Sequence, residues 1–364
     1  MHICKIYACK TYSICYGAED NEIKGILMPK ISVLMPIWNT KIAYLKAAIE
    51  SVLNQTFSDF EFIILNDSPE NKELSAFVST FNDKRIKYVE NPQTLGVAAS
   101  YNRLVGLASS EYIAMMNHDD ISMPERLQRQ YEYLQNHPET ALVGTAYKKF
   151  GEINRFKVVK NPADDSAIRS LLLFRAPIHH PTVMYRRALL QENQIRYNEK
   201  FISLNDRQLY FDVAKYGKLA NMSDMLYKYR FHKKMTSKVL KNKIKEERKI
   251  FHQMWFDYHD IKLTPAEKQV FDDYVTTGRC RIKDYDTLTA VCDLLEKLNN
   301  TNKQKHFLPE AEFAAVCAEY LIKRCVNAAC YGAVNSEKIL QNTSLPVQSG
   351  MFLRICNLAL HWRA

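Results

Sequence analysis

The stretch EYIAMMNHDDISMPERLQRQ, residues 111–130, puts two adjacent carboxylates, Asp119 and Asp120, at the end of an apolar run. Paired hard oxygen ligands suit Mg2+ or Mn2+, which take one or two protein carboxylates and draw other ligands from substrate phosphates. For an isolated Asp-Asp pair the competing reading is a solvated, capped turn, because short motifs match often by chance. Two other polar clusters have the same setting: Pro36 to Asn39 and Asn66-Asp67 each follow a short apolar run. Asp206 falls at the start of an amphipathic segment, where the helix dipole favours an acid whether or not it does chemistry. His179 and His180 precede Pro181, and His232 follows Tyr-Lys-Tyr-Arg-Phe. Such histidines serve as structural residues or line a site, and Arg230 and Lys233 are open to pairing with phosphate or to plain solvation.

These residues need elements to hold them. ISVLM (31–35), stopped by Pro36, FEFIIL (60–65), RIKYVE (85–90) and YIAMM (112–116) read as short buried strands. Leu45, Ala48, Ile49, Val52 and Leu53 share one helical face, with Asn39 or Thr40 as cap, and a second helix runs from Leu95-Gly96 to about 107. Strands and helices alternating at this spacing predict an α/β fold with right-handed βαβ units and a mostly parallel sheet. Ligands of such sheets sit outside the carboxyl ends of the strands, so the three polar strand ends converge on one crevice. Ser122-Met-Pro-Glu125 matches a capping box and predicts a helix directly after the two aspartates, its N-terminus favouring them.

The section 141–232 reads as mixed, with strands at ALVGTAY, PTVMY and MLYKYRF and a helix near 205–216 capped by Gly217. Beyond about 236 a Lys/Glu-rich helical periodicity takes over. Three regions follow: 1–27, an extension of unclear role with Met28 as an alternative start; 28–235; and a helical 236–364.

With 364 residues and 47% hydrophobic content the chain buries a large core. No window approaches eighteen apolar residues and no secretory signal core is seen, so a cytoplasmic protein is expected. Nine cysteines without a C-x-x-C pair fit reduced thiols. The net charge of +10 favours an anionic partner, and with no nucleic-acid signature beside it that partner is not expected to be nucleic acid.

ISVLMPIWNT, Leu-Asn-Asp at 65–67, LGVAASYN (95–102), EYIAMMNHDD, HHPTVMYRR (179–187) and NDRQLYFDVAKYG (205–217) come in the order seen in family 2 glycosyltransferases, which the chain resembles over about 28–235. The resemblance implies the GT-A fold and an inverting, metal-dependent enzyme related to bacterial transferases of lipopolysaccharide and capsule. Its donor would be a nucleotide sugar, a UDP-sugar by preference, and its acceptor a hydroxyl of a glycan or lipid-linked oligosaccharide. Residue by residue it implies that Pro36, Trp38, Asn39 and Asp67 contact the nucleotide, Asp67 at the uracil ring; that Asp119 lies near the ribose; and that Asp120 holds Mn2+ or Mg2+, with His232 beside it. Asp206 resembles the base, with Asn205 in place of the usual glutamate, and His180 is placed on the acceptor side. His118 occupies the first position of the D-x-D pattern without a role, and Trp38 replaces a tyrosine. Two alternatives stand beside this reading: a catalytically silent scaffold that kept the nucleotide-sugar fold, and a dinucleotide oxidoreductase, for which PIWNTK lacks the glycines. Met351, Phe352, Ile355, Leu358, Ala359 and Trp362 recur at helical spacing, so the C-terminal helix either packs on the protein or lies on the inner face of the plasma membrane.

Overall fold

The apolar runs assemble into a single nine-stranded sheet. The computed structural model describes residues 28–152, 157–232, 241–276, 281–330 and 336–347; the expectations for 1–27, Lys233 and the helix at 350–364 lie outside these residues. Four parallel strands, β1 (Ile31–Ile37), β2 (Phe60–Asn66), β3 (Ile86–Glu90) and β4 (Tyr112–Met115), are joined by helices α1 (Ile42–Leu53), α2 (Lys72–Val78) and α3 (Val97–Leu107). Then come β5 (Ile121–Ser122), α4 (Arg126–Asn136), β6 (Thr140–Gly151), β7 (Val158–Val159), α5 (Asp165–Leu172), a 3-10 turn (His180–Thr182), β8 (Met184–Arg186), α6 (Arg187–Glu192), α7 (Asn205–Val213) and β9 (Lys218–Phe231). The order across the sheet is β3-β2-β1-β4-β8-β6-β9-β5, with β7 on β6. The long pairings, including β6 with β9, are parallel, and the antiparallel ones involving β8, β5 and β7 are short, so the sheet is mostly parallel.

Period-two alternation explains why the strands read as continuous apolar runs. Val33, Met35, Phe62 and Ile64 face a core formed with α1 and α4, whereas Leu34, Ile63 and Leu65 face a second core formed with α3, α5 and α7. A third core joins the outer sides of α5 and α7, through Leu171, Phe174, Leu204 and Phe211, to α8 (Lys241–Tyr258), a π turn (Phe271–Val275), α10 (Tyr285–Lys305) and α11 (Glu310–Cys330). The short helices α9 (Pro265–Val270) and α12 (Ser336–Asn342) complete this region. The chain after 235 thus shares its apolar core with the layer that covers the sheet. No described helix is long and apolar enough to cross a membrane.

Several local expectations are corrected. β1 runs through Pro36 to Ile37; β4 has ended by then, so the missing N–H of Pro36 costs no ladder bond. Lys41, rather than Asn39 or Thr40, stands at the N-cap of α1. The capping box does not form: Ser122 lies in β5, its hydroxyl accepts from Gln55 Nε2 at 3.2 Å, and α4 begins only at Arg126. Gly217 does not cap α7, which ends at Val213 with Ala214 as its C-cap. A Cβ on Gly217 would stand 2.7 Å from that of Ala141, so close packing explains this glycine. The first half of PTVMY is the 3-10 turn rather than strand.

Candidate active site

The carboxyl ends of β1, β2 and β4 carry the site. At β2, Asn66 Oδ1 accepts from the amide and hydroxyl of Ser68, both at 3.0 Å, a turn that leaves Asp67 buried at the strand tip. Asp67 Oδ1 accepts from Asn91 Nδ2 at 2.6 Å and the Leu95 amide at 2.8 Å, and Oδ2 from the Gly96 amide at 2.9 Å. Gly96, with φ of +93°, is free to take the turn that brings its N–H there. At the β1 end, Trp38 is 55% exposed, so its ring faces are open to a flat ligand. Asn39, at φ +39°, donates its amide to Ser68 Oγ at 3.2 Å and accepts from Asn71 Nδ2 at 3.2 Å, which ties this loop to the β2 turn.

The two aspartates after β4 have unlike surroundings. Asp120 is fully buried and accepts three hydrogen bonds, from the Arg230 amide at 2.7 Å, the Tyr227 hydroxyl at 3.0 Å and Asn117 Nδ2 at 3.1 Å. Burial and the neighbouring charge of Asp119 push its carboxyl well above the usual range, and those donors oppose the shift. Asp119 instead reaches His232, with Oδ2 3.1 Å from Nε2, and its carbonyl accepts from Arg230 Nε at 2.6 Å. Asp120 is thus enclosed by protein donors, while the Asp119 carboxylate meets the His232 imidazole. One carboxylate and one imidazole suit Mn2+ or Mg2+ whose other ligands come from phosphate and water, and among the described residues no cluster of three or more acidic, His or Cys side chains offers a richer site. The aspartates do not sit on a helix terminus, since β5 intervenes and pairs with β9.

His118, without a role in the sequence, places Nδ1 3.3 Å from the Pro36 carbonyl and so links the β4 and β1 ends; the acceptor is a carbonyl, so Nδ1 carries the proton. The guanidinium of Arg230 lies between the rings of Tyr44 at 4.2 Å and Phe150 at 4.4 Å, so it is stacked rather than simply solvated. Arg126 is buried under the loop, donating to the Met115 carbonyl at 2.8 Å and lying over Tyr227. Tyr44, Asn91, Arg126 and Tyr227 carry this architecture, and sequence reasoning missed all four. For Tyr227 and Arg230 a signal existed, because β9 was legible as a strand, but its pairing with β5 was not.

Asp206 is the first-turn acid of α7. Its Oδ1 accepts from the Arg207 amide at 2.6 Å, and burial pushes its carboxyl up to about 6 against the pull of that amide and of the Arg207 charge. Burial raises the hydroxyl of Tyr101 in α3, and the charge of Asp206 and, more weakly, those of Asp119 and Asp120 raise it further. His180 is buried, its Nε2 is 2.8 Å from the Tyr197 hydroxyl, and its ring packs 4.8 Å from that of Tyr101. Burial lowers it to about 3, so it is neutral.

A mostly parallel sheet bearing acidic and aromatic strand ends on one crevice, with helices packed beyond it, is the architecture of GT-A glycosyltransferases. Residues 32–196 match the family described as Glycosyl transferase family 2. An uncharacterised glycosyltransferase of Methanocaldococcus jannaschii is 33% identical over 217 residues, covering 56% of this chain and 71% of that protein. The O-antigen biosynthesis glycosyltransferase WbnJ of Escherichia coli is 33% identical over 220 residues, covering 58% and 84%. Among solved structures, S. aureus TarS in complex with UDP-GlcNAc aligns over 83% of this chain and 91% of that one, with a TM-score of 0.54 at 15% identity, a likeness of fold. The chain belongs to glycosyltransferase family 2.

Proposed function

We propose that this protein transfers a sugar, with inversion, from a nucleoside diphosphate donor, a UDP-sugar, to a hydroxyl of a glycan or lipid-linked acceptor during synthesis of a surface polysaccharide. The observation that carries the reading is the acidic carboxyl edge of the sheet, where Asp67 at the β2 end is anchored to the Leu95 and Gly96 amides and Asp119 after β4 meets His232. The O-antigen role of the E. coli relative supports the pathway, and the UDP-GlcNAc held by the TarS structure supports the donor.

In this reading Trp38 and Asp67 receive the base, with Asn39 and Ser68 fixing their loops. Asp119 and His232 would hold Mn2+ or Mg2+, and the ion would supply Lewis-acid stabilisation of the leaving diphosphate. Asp206 takes the proton of the acceptor hydroxyl as its oxygen bonds to the anomeric carbon, and the bond to the diphosphate breaks with its electron pair leaving on the phosphate oxygen. A carboxyl near 6 is ionised at pH 7 yet basic enough to take that proton.

The test is thermal unfolding with UDP-, GDP- and dTDP-sugars, each with and without Mn2+. A ligand at about 100 times its Kd stabilises by about 2.7 kcal/mol, so a UDP-sugar is expected to raise the midpoint in an Mn2+-dependent manner. No shift with any donor would defeat the reading.

A further inference from the structure

The segment 198–204, which leads into α7, forms neither strand nor helix, so its backbone amides need partners from elsewhere. The Asn198 amide donates to Gln208 Oε1 at 3.1 Å and that of Phe201 to the Asn198 carbonyl at 3.0 Å. The next three amides converge on one carboxylate from far along the chain, Glu247 in α8: Ile202 at 2.7 Å, Ser203 at 2.9 Å and Leu204 at 3.1 Å. Successive amides aimed at one point make a nest for an anion, and here a buried side chain of the protein fills it.

Leu204 is the N-cap of α7 and has no side-chain acceptor to offer the first turn. In a capping box a glutamate three residues into the helix accepts the N-cap amide. Glu247 does so from another helix. One turn further along α8, Phe251 stands on the same face, and the Arg207 guanidinium lies 4.3 Å from its ring. Asp206 therefore falls between the two places at which α8 holds the chain. Among the described residues its carboxylate accepts from the amide of its own neighbour Arg207 and from no side chain of another element. Where it points is thus set by the backbone at the start of α7.

We propose that Glu247, backed by Phe251, is a positioning residue for Asp206, fixing the turn from which that carboxylate projects. This rests on the reading of Asp206 as the base and adds the group that holds the base in place.

The test follows Asp206 by NMR titration of the full chain labelled with 13C at aspartate carboxyls, with Asp206→Asn identifying its signal. In the wild type the signal is expected to titrate near 6. In E247Q one acceptor oxygen is lost, the turn loosens and water relieves the burial that raised the carboxyl. Its midpoint is expected to fall by about one unit or more, toward the ordinary value of about 3.9. UDP affinity, measured by calorimetry, is expected to stay within about twofold, because Asp67 and Trp38 lie on other strand ends. If E247Q fails to fold, Phe251→Leu carries the same test with an expected fall of about half a unit. An unmoved Asp206 midpoint in the folded variant, or a loss of UDP affinity beyond about tenfold, shows a structural role only and overturns the proposal. Failure of the wild type to bind UDP is a separate result: it overturns the transferase reading and leaves the link between Glu247 and Asp206 to be read from the titration.

Discussion

Adjacent residues of one type do different work when the backbone turns between them, and Asp119 and Asp120 are the case in point. Asp120 satisfies three donors in a fully buried place, so Asp120→Ala leaves the Arg230 amide, Tyr227 hydroxyl and Asn117 amide without an acceptor. Hydrogen bonds to a charged acceptor contribute about 1.5–3 kcal/mol each, and the expected loss of stability is at least about 2 kcal/mol. Asp119→Ala removes a partly exposed pairing with His232 and is expected to cost under about 1 kcal/mol while abolishing stabilisation by Mn2+. Denaturant melts of both variants with and without Mn2+ check this; a mild Asp120→Ala, or an Asp119→Ala protein that still responds to Mn2+, contradicts it. The sequence made the carboxylates legible as strand-end residues because an apolar strand running into Asp is a sharp local signal. It could not tell which one turns inward, since that depends on Tyr227 and Arg230, more than a hundred residues away. The hydroxyl partner of His180, Tyr197, was likewise visible only in three dimensions.

At the level of elements, the first four strands were readable because burial on both faces makes a strand apolar throughout, and helices between them leave a parallel sheet as the natural arrangement. The failures concentrate where one hydrogen-bonding pattern competed with another. Ser122 has the composition of a cap, yet β5 pairs with β9, its amide donates to Ser51 Oγ at 3.1 Å, and Gln55 takes its hydroxyl as well as the Leu127 amide that a helix start would otherwise leave bare. Gly217 has the composition of a helix stop, but its place is set by contact with Ala141. The parallel pairing of β6 with β9 joins residues 77 to 80 positions apart, as in Leu142 with Leu219 and Gly151 with Phe231, and left no short-range mark.

Across the whole molecule, the helical region after 235 is tied to the turn that precedes Asp206. Glu247 in α8, itself buried, accepts from the amides of Ile202 at 2.7 Å, Ser203 at 2.9 Å and Leu204 at 3.1 Å, the turn that leads into Asp206. The Arg207 guanidinium lies 4.3 Å from the Phe251 ring. We propose that 28–235 and 236–364 are two regions of the chain that fold together, and a fragment ending at 235 is expected to lose cooperative unfolding because it exposes Leu171, Phe174, Leu204 and Phe211. A sharp thermal transition for that fragment, at the midpoint of the full chain, would refute the coupling. The central claim is that Asp206, held between sheet and helices, is the base, and the most direct measurement is the pH dependence of sugar transfer by the wild type and Asp206→Asn at saturating donor. The wild-type rate is expected to fall as pH drops through about 6, because protonation removes the base. Asp206→Asn is expected to lose about two to four orders of magnitude while binding the donor normally; transfer by that variant at the wild-type rate would contradict the account.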